Sequence, residues 1–114
     1  MTESSLDRHR RTEFDGARWE TDYQRINQSY RAGYDAEDSG DNDAAVEHYA
    51  AAITTGEQIG DSMFHAYRHA YERIIALLRR TPDVETLERY CRTYIAHPVD
   101  ESTRTRINQI IESI

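Results

Sequence analysis

The chain of 114 residues contains no lysine, because all 14 of its basic residues are arginine. It has one cysteine and two prolines, and no apolar run approaches the ~18 residues of a membrane-spanning helix. The lone Cys91 excludes an internal disulfide and a zinc site built from several cysteines. No apolar segment follows the pair Arg10-Arg11, which argues against a secretory or twin-arginine signal. These absences predict a soluble, cytoplasmic protein.

The charge balance is acidic, with 21 acidic residues against 14 basic ones and a net charge of −7. Since a negatively charged protein repels phosphate groups, we expect neither nucleic acid nor a membrane as a partner. The missing lysine and the abundant aspartate and threonine are similar to the composition of proteins from salt-loving archaea. In molar salt the Debye length is only about 3 Å, so carboxylates repel one another weakly. We therefore expect a halophilic protein.

The spacing of apolar residues predicts a single all-α domain over residues 12–114, preceded by a flexible tail over residues 1–11. Apolar residues recur every three or four positions, and none alternate as a strand requires. Short loops favour antiparallel helical hairpins. The five expected helices begin near Thr12 or Asp15, Asp43, Asp61-Ser62, Thr81-Pro82 and Asp100, and they end near Ser39, Gln58, Arg80, His97 and Ser113.

One hairpin carries a recognisable pattern. It has a small pair in its first helix, a turn, and a small–aromatic–small rhythm in its second: Ala32-Gly33, Gly40-Asp41, then Ala45, Tyr49 and Ala52. Segment 29–57 thereby resembles a tetratricopeptide repeat, a helix–turn–helix unit of about 34 residues. Gly33 lacks a Cβ, so the second helix can approach closely at that point. Ser29, Ala36 and Glu57 depart from the family pattern, and the following hairpin keeps the rhythm only loosely.

The resemblance implies a non-catalytic interaction module, an adaptor or regulator that binds a partner protein segment in a groove lined by the first helix of each hairpin. Transferred through the match at Gly33, the groove positions are Asn27, Tyr30, Tyr34, Glu37 and Asp38. Tyrosines with acidic neighbours suit a partner segment that is both apolar and basic. The subclass that clamps a terminal carboxylate uses Lys and Asn where this chain has Tyr30 and Tyr34, so we do not expect that activity.

Two other functions are open. The first helix has a heptad-like apolar stripe from Trp19 to Gly33, which would allow a self-assembling bundle or homodimer with a structural or regulatory role. His65, His69 and Glu72 are spaced to share one face of the third helix, where they could hold a divalent metal ion.

The sequence offers no basis for catalysis. It contains no glycine-rich phosphate loop and no Ser-His-Asp motif. Cys91 falls inside a predicted helix and on its apolar side, whereas reactive thiolates favour exposed, electropositive helix starts. We therefore expect no enzymatic activity and no cofactor.

Overall fold

The computed structural model describes the backbone of residues 5–114 and the side chains of residues 20–114. Over this range the chain forms five α-helices and no strand, which confirms the all-α prediction. A short 3-10 turn over Asp61–Met63 leads into the third helix. The helices are α1 (Ser5–Asp38), α2 (Asn42–Ile59), α3 (Phe64–Leu78), α4 (Val84–Ile95) and α5 (Glu101–Glu112).

The loop between α1 and α2 follows the sequence prediction. Gly40 has a φ of +86°, the left-handed conformation that a glycine adopts most readily. Asp41 caps α2, since its carboxylate accepts a hydrogen bond from the backbone N–H of Ala44 at 3.1 Å. The next loop ends α2 in the same way, with Gly60 at a φ of +113°.

Two predicted helix starts are wrong. Helix α1 begins at Ser5 and not at Thr12 or Asp15, because no proline or glycine interrupts residues 5–15. The predicted tail falls partly on residues 1–4, which lie outside the described part of the chain. At α4 the cap is Asp83 and not Thr81. The Asp83 carboxylate accepts from the Thr86 N–H at 3.2 Å, and the Thr81 hydroxyl accepts from the Asp83 N–H at 3.3 Å.

Each helix packs against its neighbours along the chain, and α1 also packs against α3. This is the pattern of successive helical hairpins in which the first helices of adjacent hairpins touch. None of the described helices combines the length and apolar character that crossing a membrane requires.

Aromatic rings fill much of the core between these helices. Four tyrosine side chains are fully buried: Tyr49, Tyr67, Tyr71 and Tyr94. Two glycines give two of these rings their space. A Cβ on Gly33 would lie 2.7 Å from the Tyr49 ring, and a Cβ on Gly56 would lie 2.1 Å from the Tyr67 ring. The close approach predicted at Gly33 is therefore confirmed, and Gly56 provides a second one between α2 and α3.

Candidate partner-binding groove

Helices α1 and α3 face each other through three successive side-chain pairs. The ring of Tyr23 lies 6.1 Å from that of His65, and the ring of Tyr30 lies 6.3 Å from that of His69. One step further along, Glu37 forms an ion pair with Arg73. Because the pairs ascend along both helices together, α1 and α3 run in the same direction.

A groove of about 500 Å³ lies at the end of this series of pairs. Four of the five positions predicted from the repeat line it, and Asn27 does not. Its remaining side chain comes from α3. The lining residues are Tyr30, Tyr34, Glu37, Asp38 and Arg73. Their spacing on α1 follows from the helical period, since residues three, four and seven apart share a face.

Glu37 lines the groove, and hydrogen bonds from two residues hold its carboxylate in place. Its Oε1 accepts hydrogen bonds from the Tyr49 hydroxyl at 2.9 Å and from Nε of Arg73 at 3.1 Å, and its Oε2 accepts from Nη2 of Arg73. The guanidinium thus uses both carboxylate oxygens, the geometry that makes arginine–carboxylate pairs strong. Burial, with the neighbouring Tyr30 and Tyr34, raises the pKa of Tyr49 to about 12, so this hydroxyl remains a donor at neutral pH.

Tyr34 stands at the rim and is 56% exposed, the largest fraction among the described exposed large apolar side chains. A second cavity of about 350 Å³, lined by Tyr30, Arg31, Tyr34 and Asp35, adjoins the first. Both cavities share the two tyrosines. Tyr34 is therefore an exposed ring that lines two concave surfaces, and exposed aromatic rings of this kind are common in protein recognition sites.

Sequence reasoning gave no role to Arg73 and assigned His65 and His69 to a metal site with Glu72. The four-residue spacing of His65, His69 and Arg73, which places all three on one stripe of α3, is the signal that relates them. Adjacent positions on a helix are turned by about 100°, so Arg73 faces α1 whereas Glu72 faces the opposite neighbour.

The metal hypothesis for His65, His69 and Glu72 is not supported by the geometry. Glu72 accepts hydrogen bonds from Arg106 of α5 at 2.7 and 2.9 Å and from the Tyr94 hydroxyl at 2.7 Å. Across the described side chains, no group of three His, Cys, Asp or Glu is arranged to hold a metal ion.

The Glu37 arrangement recurs along the helices, and we call it the Tyr–Glu–base cluster. In each case a glutamate accepts a hydrogen bond from a tyrosine on the next helix and pairs with a basic side chain further along the chain. Residues 20–114 contain three such clusters. They are Glu37 with Tyr49 and Arg73, Glu57 with Tyr71 and His97, and Glu72 with Tyr94 and Arg106.

These clusters satisfy hydroxyl groups that the core would otherwise leave unpaired, and no described buried side-chain nitrogen or oxygen lacks a partner. In the second cluster both ring nitrogens of His97 are engaged. Its Nε2 lies 2.6 Å from Glu57 and its Nδ1 lies 2.6 Å from Asp61. His97 also stacks on Phe64 with 4.5 Å between ring centroids, so the segment after α4 is anchored to the junction of α2 and α3.

Two other features were considered as sites. Cys91 is fully buried, as predicted, and burial raises the pKa of its thiol to about 11, so it is not a nucleophile at neutral pH. A cavity of about 410 Å³ opens between α2 and α4 over Tyr71, with Glu57 and Arg89 among its lining residues. The Tyr71 hydroxyl in this cavity already donates a hydrogen bond to Glu57.

Comparisons of the chain with protein-family profiles, with curated proteins and with solved structures found no match. The geometry described above is therefore the basis for assigning a function.

Proposed function

We propose that this protein is a non-catalytic interaction module, resembling a tetratricopeptide-repeat protein, that binds a segment of a partner protein in the groove between α1 and α3. The observation that carries the proposal is the groove itself. Four positions inferred from the repeat pattern line one concave surface of about 500 Å³.

The chemistry of the groove favours a protein segment over a small metabolite. It is lined by residues of two helices and shares Tyr30 and Tyr34 with the second cavity. An exposed tyrosine supplies a large contact area at low cost in side-chain entropy, which is why this residue is common at binding hot spots. The carboxylates of Asp35 and Asp38 lie at the rim, where charge selects a partner and guides its approach.

The test is selection from a random peptide library displayed on phage, using immobilised protein and counter-selection against Tyr34→Ala. Because Tyr34 is mostly exposed, this variant should fold normally, and its circular dichroism and melting temperature provide the check. We expect peptides that bind the wild type and lose at least tenfold in affinity with the variant, the loss typical of a hot-spot residue.

A matched control is Val84→Ala, since Val84 is also an exposed apolar residue, at 48%, but lies at the start of α4. It should leave the selected peptides bound. Peptides that bind both variants as tightly as the wild type would place recognition elsewhere and contradict the proposal.

Self-assembly remains the alternative function, and its interface has to differ from the predicted one. Ile26, in the middle of the heptad-like stripe, is fully buried within the protein. However, α1 has 34 residues and α2 has 18, so the N-terminal part of α1 extends beyond its hairpin partner. Light scattering after size exclusion distinguishes the two. A tight dimer that is lost on removing residues 1–15 supports self-assembly through this extension.

A further inference from the structure

We propose that the groove recognises an arginine of the partner, with its guanidinium stacked on the ring of Tyr34 and paired with the carboxylate of Asp38. This inference rests on the proposed function and specifies the chemistry of its ligand.

The two cavities that Tyr34 lines differ in charge. The groove contains Glu37, Asp38 and Arg73, and because Arg73 neutralises Glu37 the groove keeps one unbalanced negative charge. The second cavity contains Asp35 and Arg31, whose charges cancel. A cation is therefore attracted to the groove.

The Asp38 carboxylate is available for a ligand. Within residues 20–114 its side chain has no hydrogen-bond or ion-pair partner, whereas Glu37 has three donors. Asp38 lies four residues after Tyr34, so its carboxylate and the tyrosine ring share one face of α1. A cation over that ring is within reach of the carboxylate.

Arginine suits this site better than lysine. Among the described side chains, arginines already lie over aromatic faces, with Arg68 at 5.7 Å from the Phe64 centroid and Arg89 at 5.4 Å from the Tyr90 centroid. In the groove itself Arg73 holds Glu37 through two nitrogens. A planar guanidinium can stack on a ring and pair with a carboxylate at the same time, which an ammonium group does less well.

The experiment uses three capped tripeptides, acetyl-Ala-X-Ala-amide, in which X is arginine, lysine or citrulline. Citrulline has nearly the shape of arginine but no charge. Binding is followed by chemical-shift changes in the ¹H–¹⁵N spectrum of the labelled protein at low salt. We expect the arginine peptide to shift the amides around Tyr34 and Asp38, with an affinity about fivefold higher than that of the citrulline peptide, the effect of one partly exposed ion pair.

Two variants locate the interaction. Asp38→Asn should remove most of the difference in affinity between the arginine and citrulline peptides, and Tyr34→Leu should weaken the binding of both. The matched control is Glu47→Gln, which removes the same charge from an exposed position on α2 and should leave the difference between arginine and citrulline unchanged.

The outcomes separate this inference from the proposed function. If library peptides bind the groove but arginine and citrulline bind equally, the arginine inference is overturned and the interaction module stands. Shifts that map to Arg89 and Tyr90, or that spread over the acidic surface, also overturn it. If neither the tripeptides nor the library peptides respond to Tyr34→Ala, both proposals fail.

Discussion

Replacing Gly56 with alanine is a sharp test of the packing between α2 and α3. In an exposed helical position this change stabilises a protein by about 1 kcal/mol, because glycine is the more flexible residue. Here the added Cβ would lie 2.1 Å from Cδ1 and 2.3 Å from Cγ of Tyr67. These atoms are at the base of the ring, so a small rotation of the side chain does not remove the overlap.

The Tyr67 side chain also has little room to move. It is fully buried, and its ring lies 5.4 Å from Phe64 and 6.2 Å from Tyr71, measured between centroids. Overpacking a core of this kind destabilises by about 1–3 kcal/mol, and sometimes by more. After the gain in helix propensity, we expect Gly56→Ala to be destabilising by up to about 2 kcal/mol, which lowers the melting temperature by up to about 10 °C in a domain of this size.

Thermal and urea unfolding followed by circular dichroism measure the effect. Gly33→Ala should follow the same direction with a smaller loss, because its Cβ would lie 2.7 Å from the Tyr49 ring. Ala51→Gly, at an exposed position of α2, isolates the propensity term and should cost about 1 kcal/mol. In the double variant with Tyr67→Leu, the penalty of Gly56→Ala should shrink. A Gly56→Ala protein more stable than the wild type would refute the reasoning.

Three further predictions concern the Glu72 carboxylate, salt and zinc. Burial, the largest influence on Glu72, opposes its ionisation, but hydrogen bonds from Arg106 and Tyr94 outweigh it and hold its pKa below 4.5. The contribution of Glu72 to stability is therefore present above about pH 4.5 and is lost as the pH falls through the lowered pKa. Glu72→Gln should flatten this part of the acid-unfolding profile, and an unchanged profile would contradict the role given to Glu72. Raising KCl from about 0.1 M to 1 M should increase the melting temperature, because screening relieves the repulsion of a chain with a net charge of −7, and full stability at low salt without any gain would count against it. Zinc should leave the melting temperature of the wild type and of His69→Ala equally unchanged, whereas a rise that His69→Ala abolishes would restore the metal hypothesis.

The sequence was informative wherever the determining contacts are local. Helix periodicity gave the five helices, and Gly40 and Asp41 marked the first loop, because capping and left-handed turns involve residues one to four positions apart. At α4 the same rules pointed to Thr81, since Thr, Pro and Asp in succession offer two possible caps. The choice between them depends on which carboxylate or hydroxyl reaches the first free N–H groups.

The contacts that define the groove could be predicted only on the α1 side. The repeat pattern placed Tyr30, Tyr34, Glu37 and Asp38 on one face of one helix. It gave no indication of Arg73, which lies 36 residues after its partner Glu37 and reaches it only through the packing of α1 against α3. Gly56 was missed for a similar reason: it is within the matched segment but is not one of the positions that define the repeat pattern, and its ring contact comes from the following helix.

The Tyr–Glu–base clusters explain how an acidic chain can keep a tyrosine-rich helical array in register. Glu37 and Glu72 each join their own helix to the next two helices, and Glu57 joins α2 to α3 and to the segment after α4, so each cluster fixes three parts of the chain at once. At α4 the relation ends, since Glu88 pairs with Arg92 of its own helix at 2.8 Å and only α5 follows. Glu37 and Glu72 are partly buried, with the Glu37 side chain exposed by only 17%, so salt screens their pairs less than it screens surface charges. High KCl should therefore weaken the repulsion between surface carboxylates while leaving the clusters that position α1 against α3, and hence the groove, largely intact.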